Sequence, residues 1–162
     1  GIKPVKELVI GVDVQWIQWS KTNGKNLPEY KENNGSQPWN LNWDDQVVYK
    51  IGLNYDWNKQ WSFRAGFNYG EAPMDDNEVS NDQVLFNMLA PAVSEKHATL
   101  GASYRPNKNM EWSFNYSHAF SNTVKGPTAF GPTGDENIDK NIKSTSLDME
   151  INTVGISFAY KL

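Results

Sequence analysis

Residues 46–70 constrain the fold more than any other stretch of the chain. Val47, Tyr49, Ile51, Leu53 and Tyr55 alternate with Gln46, Val48, Lys50, Gly52 and Asn54. After a short Asp56–Gln60 turn, Trp61, Phe63, Ala65, Phe67 and Tyr69 alternate with Ser62, Arg64, Gly66, Asn68 and Gly70. Successive side chains of a strand point to opposite faces, so this period of two gives a hairpin with one apolar and one polar face. Each arm is about ten residues long, whereas strands of soluble proteins cluster near 5–6. The apolar face is aromatic near both strand ends, and the polar face carries Lys50, Arg64 and glycines. Strands of about 9–11 residues with this facing suit the wall of a barrel in a bilayer.

Composition sharpens that reading. The 162 residues include seven each of Trp, Tyr and Phe, yet only 38% are hydrophobic. So many rings in so polar a chain point to rings placed at interfaces. No apolar run approaches the roughly 18 residues of a membrane helix. Formal charge is −4 with no Cys, and there is no basic stripe with interleaved aromatics, which argues against a nucleic-acid partner. The start, Gly1-Ile2-Lys3-Pro4, is no secretory signal and reads as mid-chain, which leaves room for a signal peptide upstream.

Taken in order, the chain predicts six strands over roughly 7–20, 42–56, 60–71, 94–105, 109–121 and 147–162, forming one domain over 1–162. Residues 21–41, 71–93 and 121–144 form long connections, the second acidic at first and then apolar, and the connections between them are tight turns. Short turns at one end and long loops at the other are the asymmetry of outer-membrane barrels. Ordinary compact domains seldom hold three such loops. In the last strand Val154, Ile156, Phe158, Tyr160 and Leu162 share a face, an ending similar to the signature read by the bacterial barrel-insertion machinery. Upstream, Leu147, Met149 and Ile151 have the opposite parity. A β-bulge near Asn152, or a loop extending to Ile151, accounts for that switch.

Several segments also carry a family resemblance. Trp43-Asp44 stands ahead of a strand, and Arg64-Ala65-Gly66-Phe67-Asn68-Tyr69 is followed closely by Pro73. Phe86-Asn87-Met88-Leu89-Ala90-Pro91-Ala92-Val93-Ser94-Glu95-Lys96-His97 runs into Thr99-Leu100-Gly101-Ala102-Ser103-Tyr104. Over nearly its whole length the chain resembles the C-terminal part of the FadL-type outer-membrane transporters of long-chain fatty acids and hydrocarbons. The resemblance implies a fourteen-stranded antiparallel transmembrane β-barrel, of which six strands are somewhat under half. The family's plug and lateral wall opening are then expected upstream.

The chemistry-bearing residues offer no strong competitor to transport. With two histidines and no Cys, a Cys- or His-rich metal site is unavailable, and no Gly-x-Ser-x-Gly elbow occurs. Residues 135–141 begin like a calcium loop, but Lys140 and Ser146 stand where Gly and Glu are needed, so a solvated loop is the better reading. We therefore expect no catalytic residue, no metal and no cofactor. Asp13, Lys50, Arg64, Glu95 and His97, with Arg105 and Glu111, fall on the lumen parity, where both signs of charge suggest ladders of ion pairs. His118 falls on the apolar parity near a strand end. The acidic run from Glu71 to Asp82 is a candidate for divalent ions that bridge lipopolysaccharide phosphates, with plain solvation the blander reading. Val84, Leu85, Phe86, Met88 and Leu89 are apolar within a long external connection. They form either a self-packed helical lid over the barrel mouth or a capture surface for hydrophobic ligand. The expectation is passive uptake of hydrophobic small molecules by a bacterial outer-membrane protein in contact with membrane lipids and lipopolysaccharide. A general porin or structural barrel, and a soluble carbohydrate-binding β-sandwich, are the alternatives.

Overall fold

The computed structural model describes residues 1–22, 41–74, 81–90, 92–126 and 145–161. Among them lies one antiparallel sheet of seven strands, each paired with its neighbour in the chain. The strands are β1 (Ile2–Val5), β2 (Leu8–Ile17), β3 (Gln46–Asp56), β4 (Trp61–Gly70), β5 (Lys96–Asn107), β6 (Met110–Gly126) and β7 (Thr145–Tyr160). A 3-10 turn at Trp19–Lys21 follows β2, and helix α1 (Asn81–Leu89) lies between β4 and β5. No helix among the described residues is long and apolar enough to cross a membrane.

The count corrects the six strands expected. The first four residues after Gly1 return on β2 through Lys6 and Glu7, pairing Ile2 with Ile10 and Val5 with Leu8. Lys3 and Pro4 hide this strand, because it has no apolar alternation and proline is poor in a ladder interior. Three further boundaries move by three residues or more, and β3 begins at Gln46 rather than at 42. β2 ends at Ile17 and gives way to the 3-10 turn, while β6 continues to Gly126, deep into the expected third loop. The three turns near Lys6, Asn58 and Lys108 lie at one end of the sheet, and the long connections lie at the other.

Register fixes the faces. Leu53 pairs with Ala65, Ala65 with Leu100, Leu100 with Tyr116 and Tyr116 with Val154. This apolar row is bounded toward the short turns by Trp61, Tyr104, Trp112 and Phe158, which are cross-strand neighbours. Trp61 and Tyr104 have ring centroids 4.6 Å apart, and Trp112 and Phe158 4.7 Å. Toward the loops it is bounded by Tyr49, Tyr69 and Phe120. On the other face Gly11, Gly52, Gly66, Thr99, Ser117 and Thr153 form one continuous row.

The parity switch in β7 has a different cause from either one expected. β7 is continuous from Thr145 to Tyr160, without a bulge at Asn152. The irregularity lies across from it on β6: Ala119 pairs with Ile151 and Asn122 with Met149, so Phe120 and Ser121 face the single residue Glu150. Leu147, Met149 and Ile151 keep the same face as Ser157 and Thr153. What changes is the polarity of the surroundings. Toward the loops the opposite face carries Asp148, Glu150 and Asn152, and the face of Met149 is covered by the segments that hold Met74 and Val93.

That cover contains a hydrophobic core. Met74, Val93 and Val124 form a buried cluster with Trp43, Ala72 and Met149 around it. Leu41 and Val84 are buried as well.

Candidate functional site

The end of the sheet carrying the long connections is organised by α1. Its first described side chains are fixed: Gln83 and Asn87, one turn apart, are both buried, as residues at i and i+4 share a helix face. Gln83 Nε2 donates to the Leu41 carbonyl. Asn87 Nδ2 donates to Met74 Sδ and to the Gln83 carbonyl, both at 2.8 Å, and its Oδ1 accepts the Ala92 N–H at 2.8 Å. One amide thus ties the helix to the chain on both sides of it. Asn122 Nδ2 on β6 donates to the Val93 carbonyl at 2.8 Å, anchoring the exit from α1 to the sheet.

An aromatic ladder supports the same helix. Trp19 and Trp43 meet edge to face at 5.2 Å, and Trp43 and Phe86 at 5.5 Å. Trp19 Nε1 also reaches Gln46 Oε1 at 3.4 Å. Edge-to-face pairs are worth about 0.5–1.5 kcal/mol beyond area burial, and the Trp43–Phe86 pair adds to the packing that a nine-residue helix, marginal alone, requires.

The five apolar residues singled out in this segment therefore divide. Val84 is buried at 1% exposure, Leu85 is half-buried, and Phe86 is half-buried in the ladder. Met88 and Leu89 stand out at 45% and 73%. The helix is packed along one side and leaves an apolar end uncovered.

The polar face runs from this end to the short turns at the other. Asp13 and Lys50 are cross-strand partners, with Lys50 Nζ 3.7 Å from Asp13 Oδ2 and 2.6 Å from Gln15 Oε1. Arg105 and Glu111 form a second pair at 2.7 Å, and Arg105 Nη1 donates to Ser62 Oγ at 2.9 Å. Arg64 takes neutral partners, Asn54 Oδ1 at 3.1 Å and Ser103 Oγ at 2.8 Å. Ser103 and Ser113 share a hydrogen bond at 2.8 Å, so the network crosses from β3 to β6. His97 pairs with Asn68 on this face, and its Nδ1 is buried without a hydrogen-bond partner. Glu95 lies outside the strand. Its Oε1 accepts the Ala72 N–H at 3.1 Å and its carbonyl accepts Gly70 N at 3.0 Å, closing the base of the loop.

Sequence reasoning missed the ladder and the two amides. Trp43 was visible only as part of a resemblance, and Gln83–Asn87 spacing is a signal only once residues 81–89 are known to be helical. His118 lies on the apolar face, where Asn152 Oδ1 accepts from Tyr116 Oη at 2.6 Å and lies 2.8 Å from His118 Nδ1. Among the described residues no group of three or more His, Cys, Asp or Glu side chains is placed to hold a metal. The calcium-like stretch at 135–141, and most of the acidic run after Glu71, lie outside the described residues.

Residues 2–160 match the model of the outer membrane protein transport protein family (OMPP1/FadL/TodX). The chain belongs to that family, and so to the β-barrel proteins of the bacterial outer membrane. Among solved structures it is similar to a FadL homologue of Pseudomonas aeruginosa, at 18% identity and TM-score 0.61, with 98% of this chain and 33% of that one covered. It is also similar to a deletion mutant of the TodX monoaromatic hydrocarbon channel, at 18% identity and TM-score 0.60, with 99% and 33% covered. These likenesses support the barrel fold, and the chain spans a third of the length of those structures. No curated protein sequence matches it.

Proposed function

We propose that residues 1–162 are a single part of an outer-membrane barrel that passively admits hydrophobic small molecules, long-chain fatty acids or hydrocarbons. In this reading the apolar face of the sheet meets lipid and the polar face lines the lumen. Asp13, Lys50, Arg64 and His97 then line the wall, and Glu95 braces the mouth. Ion pairs and amide contacts across strands keep that wall in register. The alternating end of β7, with Val154, Ile156, Phe158 and Tyr160 on one face, suits recognition by the barrel-insertion machinery.

The observation that carries the proposal is the exposed apolar end of α1. Burying one Leu-sized side chain is worth about 1.5–3 kcal/mol, so two such groups in water at a barrel mouth are costly unless something covers them. A hydrophobic ligand arriving from outside is that cover. Val84 and Phe86 are packed beneath, so they hold the surface in place, and Met88 and Leu89 touch the ligand.

In the full-length protein, Met88→Asp with Leu89→Asp is expected to lower uptake of a long-chain fatty acid or an aromatic hydrocarbon at least about tenfold. Heat-modifiable gel migration, which reports barrel assembly, stays native, and small hydrophilic solutes permeate as before. Unchanged uptake in an assembled barrel would rule out a capture role for this surface.

A further inference from the structure

We propose that the short-turn end of the sheet binds an anionic glycerophospholipid of the periplasmic leaflet, its phosphate held between Lys59 and Lys108. A recess of ≈ 1160 Å³ lies between the turns that carry these two lysines and the end of β7. Lys59, Lys108 and Lys161 line it together with Pro106, Met110 and Tyr160.

The recess is built from fixed parts. Asn58 Oδ1 accepts the Gln60 N–H at 2.8 Å and the Trp61 N–H at 2.9 Å, which sets the turn around Lys59. Asn107 Oδ1 accepts the Asn109 N–H at 3.0 Å and sets the turn around Lys108. Arg105 N donates to the Gln60 carbonyl at 2.7 Å, joining the two turns. Lys161 N donates to the Asn109 carbonyl and Asn109 Nδ2 to the Lys161 carbonyl, both at 2.8 Å. The end of β7 is thus clasped to the same platform.

Charge selects the occupant. The carboxylates at this end are matched by other groups. Glu111 pairs with Arg105 at 2.7 Å and accepts from Ser113 Oγ at 3.1 Å. Asp56 accepts from Ser62 Oγ at 2.6 Å and from Asn54 Nδ2 at 3.3 Å, next to the Asn54–Arg64 pair. Glu7 stands beside Lys6 in the first turn. Lys59 and Lys108 are exposed, and neither ammonium makes an ion pair or hydrogen bond among the described residues. The surplus is positive, so the ligand is an anion.

Position selects which anion. Met110 and Tyr160 are cross-strand partners on the face of Trp112 and Phe158, so the recess opens onto the apolar side. Lys59 precedes Trp61 by two residues and Lys108 precedes Trp112 by four, about 7 and 13 Å along a strand. Aromatic belts sit at the headgroup level of a membrane. Both ammonium groups therefore stand in the phosphate layer, where basic side chains attract anionic lipid. The acyl chains then lie against the apolar face beyond Met110 and Tyr160. This assignment rests on the barrel reading, in which short turns are periplasmic, and not on a capture role for α1.

The test uses the full-length protein in mild detergent with equimolar phosphatidylglycerol and phosphatidylethanolamine, read by native mass spectrometry. We expect phosphatidylglycerol to be retained in preference. Lys59→Gln with Lys108→Gln lowers its retained fraction at least about fivefold, and Lys59→Arg with Lys108→Arg keeps it. Lys125→Gln, at the loop end, is the control and leaves retention unchanged. Millimolar inorganic phosphate, which has the charge but no acyl chain, does not displace the lipid. Heat-modifiable migration verifies that each variant is assembled. Hydrophobic uptake is measured alongside, and its failure would strike the capture role of α1 while leaving the lipid result standing. Equal retention of the two lipids, no retained lipid, displacement by inorganic phosphate, or unchanged retention by the Lys59→Gln, Lys108→Gln protein would each overturn the proposal.

Discussion

Two leucines show how differently the wall and the cap are held together. Leu100, midway along β5, is 61% exposed, and Leu41, at the base of the cap, is 1% exposed. The same contrast separates Val154 on β7 from Val124 on β6. In the wall, backbone ladders between neighbouring strands carry cohesion, and large apolar side chains point away from the protein. Only small or polar groups such as Ser62 and Ser103 are buried there. In the cap the aqueous rule returns: Met74, Val93 and Val124 cluster inside, and buried amides are hydrogen-bonded. Apolar groups thus face out along the sheet and in beneath α1, the arrangement that the proposed lipid-facing wall and water-facing cap require. β6 and β7 pass from one regime to the other, which is why the polarity of each face of β7 reverses while its backbone stays regular.

The largest expected effect breaks this comparison in the wall. Leu100→Arg places a charge near the middle of the lipid belt, where such a substitution costs about 2–4 kcal/mol. Gly52→Arg, on the polar face, is expected to be far milder, because a Cβ built there meets nothing within 4 Å. Folding titrations of the full-length protein into lipid vesicles measure both. Equal penalties would mean that the two faces do not see different solvents.

A second change sharpens the comparison from the cap. Asn87→Leu removes three hydrogen bonds and leaves the Ala92 N–H and its neighbours unsatisfied, at about 1–3 kcal/mol for a buried group. Because the loss is local, amide exchange in residues 81–95 should accelerate while the exchange of β3–β5 is unaltered. A matching acceleration in the strands would show that cap and wall unfold as one unit.

The smallest effect separates packing from open space within one row of glycines. A Cβ at Gly66 would lie 2.7 Å from Thr99 Oγ1, whereas at Gly52 it is free. Gly66→Ala should cost up to about 1 kcal/mol, and Gly52→Ala should be neutral or stabilise by about 0.5 kcal/mol through the unfolded chain. Thr99→Ala combined with Gly66→Ala is expected to restore stability in the same vesicle titration. A penalty that survives the double change would locate the strain elsewhere.

How legible each region was in the sequence follows from the same contrast. The wall repeats one local rule, so the hairpin from Gln46 to Gly70, the alternating strands and the long-short sequence of connections could be read directly. β1 escaped because Lys3 and Pro4 interrupt its alternation, and β6 because its last residues carry on past the bulge at Phe120 and Ser121. In the cap, little could be read. Val84 and Leu89 look equivalent in sequence, and only the placement of α1 against Leu41, Trp43 and Met74 buries one and exposes the other.

The sequence by itself determined that this chain makes long antiparallel strands with one lipid-compatible face, because side-chain alternation is a property of neighbouring residues. It also placed charges of both signs on the polar face. Tertiary structure decided which of them meet: Asp13 with Lys50, Arg105 with Glu111, and Arg64 with Asn54 and Ser103. It likewise decided that a bulge on β6, rather than on β7, sets the register at the mouth. Those outcomes depend on residues far apart in the chain arriving at the same height on adjacent strands, and local periodicity carries no information about that height.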